Sequence, residues 1–218
     1  MSKEYYLTSS NKEEKINHWL NVIETFKSFK PFSLNLNRAA LLVLDMQNFF
    51  LERKSHAYIP SVETIIPTVN ALIDAFSKIN RKIVFTRHID CTDANSLMKK
   101  MWRDLISLDS GLSSINSRIN TNKGLVFNKT KYNAFYGTGL DNHLRDNNIE
   151  QVIITGVHSH LCCESTARDA FFRDFEVFFV VDATATYSEQ LHLGTLRAIA
   201  HGFGVCISSE EILNAKQN

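Results

Sequence analysis

Segments rich in apolar residues alternate with segments of helical spacing along most of the chain. Strands covered on both faces consist of short apolar runs, whereas a helix packed on one side repeats its apolar residues every three to four positions. The first pattern occurs six times, at residues 39–45, 82–87, 124–129, 151–156, 176–183 and 204–208. The second is clearest at residues 62–79, between the first two runs.

Further helices are predicted at residues 140–147, 164–175, 188–201 and from residue 209 onward, with a polar helical region around 98–108. Strands that alternate with helices form right-handed βαβ units. The sequence therefore predicts an α/β fold of Rossmann-like type, with a six-stranded parallel sheet in three αβα layers. The phosphate-binding motifs GxGxxG before a helix and GxxxxGK[ST] are missing, so a nucleotide enzyme is not expected.

The first 37 residues precede this alternation. Residues 11–29 carry apolar side chains at helical spacing, among them Trp19 and Ile23, with charges between them. We expect an N-terminal helical extension at 1–37 that lies on a single domain at 38–218.

Composition narrows the classes of partner. The 218 residues include 24 basic and 23 acidic side chains, which favours neither nucleic acid nor a membrane surface. No apolar run reaches the roughly 18 residues of a membrane span, and the polar N-terminus lacks the apolar core of a signal peptide. Cysteines 91, 162, 163 and 206 have no metal-binding spacing, so free thiols in a reducing cytoplasm are expected, without metal or cofactor.

Three reactive side chains follow predicted strands. Asp45 ends the first strand, Lys129 ends the third, and Cys162 lies in the turn between the fourth strand and its helix. Ligands bind open parallel sheets at the carboxyl ends of the strands. A cation and a helix N-terminus can activate a thiol, and a carboxylate can move its proton. Each residue alone also has a structural interpretation: a packed cysteine, a loop-capping acid and a solvated lysine.

Four motifs extend this pattern, at residues 41–50 (LLVLDMQNFF), 129–140 (KTKYNAFYGTGL), 154–171 (ITGVHSHLCCESTARDAF) and 180–186 (VVDATAT). Their order and spacing over about residues 38–210 resemble the isochorismatase-like cysteine hydrolase superfamily. The resemblance implies a catalytic Asp45, Lys129 and Cys162, with Cys163 as a packing residue. It also implies a non-proline cis peptide at Val157–His158 and an oxyanion hole formed by the backbone N–H groups of His158 and Cys162.

Two departures from family patterns bear on the substrate. Metal-dependent nicotinamidases of this superfamily carry an Asp-x-His pair after the second strand, whereas this chain has His88 and Asp90 in the opposite order. The resemblance therefore implies no metal and makes nicotinamidase activity less favoured. Several isochorismatases have glycine at the nucleophile position, so Cys162 favours C–N bond hydrolysis.

Substrate-contact candidates are the aromatic residues near the motifs and one cation, namely Phe50, Trp102, Phe135, Tyr136 and Arg87. Phe49 and Tyr187 are further aromatic candidates, and core packing is the alternative for all of these rings. Arg87 ends the second strand, where it could pair with a substrate carboxylate or form a surface ion pair.

The leading hypothesis is a hydrolase that cleaves an amide, carbamoyl or ureido C–N bond of a small molecule through a thioester on Cys162. The alternative is an isochorismatase that hydrolyses a vinyl ether with Asp45 as the acid. A third hypothesis is a catalytically idle protein that uses the fold for partner binding. The resemblance also implies a homodimer or homotetramer, and residues 188–201 with the N-terminal helix offer apolar surface for it.

Overall fold

A computed structural model of the protein describes residues 3–26, 29–90, 96–102 and 104–215. These residues form one parallel sheet with helices around it. Its strands are β1 (Ala39–Leu44), β2 (Ile83–His88), β3 (Leu125–Lys129), β4 (Gln151–Val157), β5 (Glu176–Ala185) and β6 (Val205–Ile207). Their order in the sheet is β3-β2-β1-β4-β5-β6, and neighbouring strands pair in parallel. The predicted six-stranded α/β fold is confirmed.

Helices connect the strands. They are α1 (Lys12–Glu24), α2 (Asn48–Leu51), α3 (Val62–Lys78), α4 (Leu97–Met101), α5 (Leu140–Asp146), α6 (Glu164–Phe172), α7 (Glu189–Gly202) and α8 (Ser209–Leu213). Within the described ranges, none of these helices has the length and apolarity needed to cross a bilayer.

The predicted helical region around 98–108 is wrong beyond Met101. The backbone of Trp102 is extended, and Ile106 further along pairs with Asp90, which lies two residues after the end of β2. Ile106 N donates to the Asp90 carboxylate at 2.7 Å, and Asp90 N donates to Ile106 O at 2.9 Å. This tertiary pairing replaces the helical hydrogen bonds that spacing alone predicts.

The strand order places a crevice at the centre of the sheet. From β1 the chain builds outward through β2 and β3, and from β4 it builds in the other direction through β5 and β6. The connections that follow β1 and β4 therefore run in opposite directions, and a crevice lies between the carboxyl ends of these two strands. Asp45 follows β1, and Cys162 lies in the turn after β4, on the two sides of this point.

The N-terminal helix packs against α7. Trp19 is fully buried, its ring lies 4.6 Å from that of His192 in α7, and its Nε1 donates to Glu189 at 2.8 Å. Residues 188–201 and the N-terminal helix were predicted to offer apolar surface for an oligomer, and these contacts show that the two helices pack on each other within the chain. The division at residue 37 stays a prediction, and positions 27 and 28 of the predicted helix lie outside the described residues.

Candidate active site

Asp45, Lys129 and Cys162 meet at the carboxyl edge of the sheet, as their positions after three strands predict. Lys129 Nζ lies 2.7 Å from Asp45 Oδ2 and 3.4 Å from Cys162 Sγ. All three residues are buried. Because β2 separates β3 from β1, the long lysine side chain bridges to the acid past one intervening strand end.

The Lys129 ammonium group has three close partners. The third acceptor is the backbone oxygen of Lys131 at 2.9 Å, in addition to Asp45 and Cys162. Burial by itself lowers the pKa of Lys129, but the adjacent Asp45 and Cys162 outweigh it and raise that pKa. The lysine is therefore a fixed cation at neutral pH.

Asp45 has a backbone conformation that few acids adopt. Its φ is 51°, in the left-handed region, which costs free energy for a residue with a Cβ. Thr86 in β2 holds it there: Thr86 Oγ1 donates to Asp45 Oδ1 at 2.7 Å, and Asp45 N donates to Thr86 O at 3.3 Å. The carboxylate is thereby aimed at Lys129.

Gly156 allows β4 to approach the end of β1. Its φ is +106°, and a Cβ at this position would lie 2.1 Å from the backbone oxygen of Leu44. Any larger residue would push the two strands apart. The glycine at the start of the motif GVHSHLCC therefore brings the cysteine turn close to Asp45.

Cys162 lies in a π-helical turn, Ser159–Cys163, directly before α6. Burial and the neighbouring Asp45 raise the pKa of the Cys162 thiol, while Lys129 acts in the opposite direction. The resting group is thus a protonated thiol rather than the thiolate that a cation and a helix N-terminus alone would favour. An adjacent base would be needed to form the thiolate, and Asp45 is the neighbouring group that could accept the proton.

Cys163 points away from this cluster into the core. It is fully buried, and its Sγ lies 3.9 Å from Thr155 O. Burial raises its pKa well above the ordinary value. Among the described cysteines, Cys162, Cys163 and Cys206 carry free thiols, whereas Cys91 lies outside the described residues.

The peptide bond between Val157 and His158 is cis. Burial lowers the pKa of the His158 ring well below its ordinary range, so this ring is uncharged at neutral pH. Its ring packs edge-on against Phe50 and Tyr187. His158 and Cys162 both line the adjacent cavity, where their backbone N–H groups were predicted to act.

A cavity of about 330 Å³ opens beside Cys162. Five aromatic side chains line it, namely Phe49, Phe50, Trp102, Tyr132 and Tyr187. Of the predicted substrate contacts, Phe50 and Trp102 lie in this lining, as do the further candidates Phe49 and Tyr187. Tyr132 was missed, although it stands three residues after Lys129 in the second motif.

Three predicted contacts lie outside the cavity lining. Arg87 donates to Asn128 Oδ1 at 2.9 Å on the neighbouring strand. Phe135 is buried, with its ring stacked on Phe175 at 5.9 Å. Tyr136 is 61% exposed. For Arg87 and Phe135, partners within the fold take the place of the expected ligand.

His88 and Asp90 form a hydrogen-bonded pair in the cavity wall, which sequence spacing did not identify. His88 Nε2 lies 2.9 Å from Asp90 Oδ1, and both side chains are largely buried. Gln47 fixes the backbone here, because its Nε2 donates to His88 O at 2.9 Å and its Oε1 accepts from His88 N at 2.7 Å. Across the described part of the chain, no three His, Cys, Asp or Glu residues cluster as metal ligands do.

A family model and curated relatives place this chain in one family. An isochorismatase-domain family model matches residues 39–211. Nicotinamidase 3 of Arabidopsis thaliana is 36% identical over 183 residues, which cover 82% of this chain and 88% of that protein. The isochorismatase of Bacillus subtilis is 30% identical over 187 residues, 84% of this chain but only 59% of that protein's length.

Among solved structures, a cysteine hydrolase from Pseudomonas syringae pv. phaseolicola 1448A superimposes with a TM-score of 0.80 at 23% identity. The superposition covers 84% of this chain and 94% of that one, which shows that the fold is shared. Together with the family-model match over most of the chain, these similarities establish that the protein belongs to the isochorismatase-like hydrolase family.

Proposed function

We propose that the protein is a cysteine hydrolase that cleaves the C–N bond of a small amide, carbamoyl or ureido compound through a thioester. The observation that carries this proposal is the buried contact of Lys129 Nζ with both Asp45, at 2.7 Å, and Cys162, at 3.4 Å. A base, a cation and a thiol within one hydrogen-bonded cluster suit nucleophilic catalysis. The free thiol it needs fits a reducing compartment, and we propose the cytoplasm.

In the first half-reaction, Cys162 Sγ attacks the substrate carbonyl carbon while its proton passes to Asp45. The C–S bond forms, and the carbonyl oxygen becomes an oxyanion that the backbone N–H groups of His158 and Cys162 would stabilise. Lys129 offsets the negative charge on sulfur. The C–N bond then breaks, and Asp45 returns the proton to the departing amine or ammonia.

In the second half-reaction, water attacks the thioester and gives one proton to Asp45. The C–S bond breaks, the carboxylic or carbamic acid leaves, and the proton on Asp45 returns to the Cys162 sulfur. The raised thiol pKa assists this step, since it favours return to the resting state.

A second candidate is hydrolysis of the vinyl ether of isochorismate, which the 30% identity to the Bacillus subtilis isochorismatase supports. Asp45 would then protonate the vinyl ether, and Cys162 would play no chemical part. The two reactions differ in which side chain is indispensable.

Substitution of the two residues separates these chemistries. Cys162→Ala and Asp45→Asn should be assayed against a panel of primary amides including nicotinamide, N-carbamoyl compounds, ureido compounds and isochorismate. Under the thioester mechanism, each variant loses about three or more orders of magnitude in kcat on a C–N substrate.

Cys206→Ala is the matched control, because it removes another buried thiol, in β6, and should retain activity. Isochorismate turnover that survives Cys162→Ala but not Asp45→Asn would overturn the thioester proposal in favour of the second candidate. Full activity of Asp45→Asn would contradict both.

A further inference from the structure

The charged residues that line the active-site cavity are acids accompanied by histidines. Asp90 and Asp104 are in the lining, and among its described residues there is no lysine or arginine. His88 Nε2 lies 2.9 Å from Asp90, and His56 Nε2 lies 3.2 Å from Asp104. Since the third lining histidine, His158, is uncharged, protonation of both paired rings would still leave no net positive charge.

Among the described residues, Lys129 and Lys3 contact residues of the cavity lining, and both already have partners. Lys129 forms an ion pair with Asp45 and donates hydrogen bonds to Cys162 and the Lys131 carbonyl. Lys3 donates to His56 O, and its Nζ lies 4.8 Å above the ring of Tyr187. Neither lysine is a lining residue.

Asp90 is a fixed anion rather than a movable surface charge. Its side chain is 7% exposed. Burial acts to raise its pKa, but hydrogen bonds from His88 and from the backbone N–H of Ile106 outweigh burial and lower it. Asp90 is therefore a carboxylate at neutral pH beside the site where Cys162 would react.

Most of the remaining lining is aromatic or aliphatic, and it includes the five aromatic side chains together with Met98 and Met101. Among the described lining residues, a ligand carboxylate would find no cationic partner to replace its hydration, and it would meet the Asp90 charge. An uncharged planar group would instead stack on the rings at little cost.

From this arrangement we infer that the cavity selects uncharged planar amides or ureas and rejects ligands of the same shape that carry a carboxylate. The inference rests on the proposed function in taking the ligand of this cavity to be the substrate. Uncharged amides and ureas should therefore bind better than C–N compounds that carry a carboxylate, and dicarboxylates should be among the poorest ligands.

Binding to the Cys162→Ala protein tests this inference without hydrolysis. Benzamide and 3-carbamoylbenzoate share the ring and the amide and differ by one carboxylate. Calorimetric titration at low salt should give a Kd at least about tenfold higher for the carboxylate, as expected for one uncompensated charge near another. Equal or tighter binding of 3-carbamoylbenzoate, or no binding of benzamide at millimolar concentration, would overturn the inference.

Asp90→Asn identifies the source of the discrimination. The amide keeps the size and the acceptor for Ile106 N but removes the charge, so the Kd ratio between the two probes should fall severalfold. Asp146→Asn, an exposed acid at the end of α5, is the matched control and should leave the ratio unchanged. An unchanged ratio in Asp90→Asn would refute the role of Asp90.

These outcomes are distinguishable from failure of the thioester mechanism. If Cys162→Ala binds benzamide selectively but the wild-type protein hydrolyses no amide, the charge selection stands and the proposed function fails. If amides are hydrolysed but the two probes bind equally, the reverse holds.

Discussion

Lys129 shows how one buried cation holds an acid and a thiol together. Its side chain and that of Asp45 have no exposed surface, so neither charge is compensated by water. Loss of one partner from a buried ion pair leaves the other charge desolvated and unpaired, which costs more than the pair itself contributes.

Lys129→Met should therefore lower the free energy of unfolding by about 3–5 kcal/mol, measured by urea denaturation at pH 7. Asp45→Asn combined with Lys129→Met removes both charges and should recover much of that stability. It should not recover hydrolysis, since the cation and the base are both absent. A double variant as unstable as Lys129→Met would contradict this account of the pair.

Sequence alone identified these residues because each follows an apolar strand, and strand ends converge in a parallel sheet. It could not identify His88 and Asp90 as a cavity-lining pair. Their placement depends on Gln47, which bonds the His88 backbone, and on Ile106, which bonds Asp90 from a distant loop. Nor could it show that Arg87 would turn to Asn128, because local spacing does not record which partner a side chain meets.

At the scale of elements, α7 supports the turn that carries Cys162. His192 Nε2 donates to Val181 O at 3.1 Å, which leaves its Nδ1 to accept from Ser159 Oγ at 2.8 Å. Ser159 begins the Ser159–Cys163 turn. Tyr6 and Trp19 from the N-terminal segment enclose the same ring, at 5.6 and 4.6 Å between ring centres.

This buried imidazole makes stability depend on pH. Burial lowers the pKa of His192 to about 4, whereas the unfolded chain has a value near 6.5. The unfolded state therefore binds the extra proton first as pH falls, so the contribution is fully present above about pH 6.5. It is lost progressively down to about pH 4, by about 3 kcal/mol for this group. His158 acts in the same direction.

Urea unfolding of wild type and His192→Asn at pH 7 and at pH 4.5 measures this dependence. The variant should be less stable at pH 7 but should lose less stability on acidification than wild type does. His201→Asn, an exposed histidine in the same helix, is the control and should follow wild type. Equal acid sensitivity of all three proteins would show that His192 is not the sensor.

Most elements were predictable because their apolar periodicity is long and regular. Helix α3 begins at the predicted residue 62 and ends one residue before the predicted 79. The helix predicted at 164–175 ends at Phe172, since Asp174 adopts a φ of 63° and Phe175 N bonds back to Ala170 O. Tertiary bonds and left-handed residues set such ends, and hydrophobic spacing contains no signal for either.

At the scale of the molecule, the two edge strands of the sheet differ in how deeply they are buried. Strand β3 forms one edge, and its first residues Leu125 and Val126 are 54% and 47% exposed. Successive strand residues point to opposite faces, so apolar surface is bare on both sides of this edge. Exposed Leu97 and Met101 belong to α4, in the stretch between β2 and β3.

The expected homo-oligomer would cover this edge, rather than the face of α7 that α1 already occupies. Light scattering at micromolar concentration should then give two or four times the chain mass of 24.9 kDa. Val126→Lys places a charge on the bare edge and should shift the mass toward one chain. Leu213→Lys, at an exposed site in the helix that follows the opposite edge strand, should leave the mass unchanged. A wild-type mass of about 25 kDa would refute the oligomer. An oligomer that survives Val126→Lys but dissociates in Leu213→Lys would place the interface at the other edge.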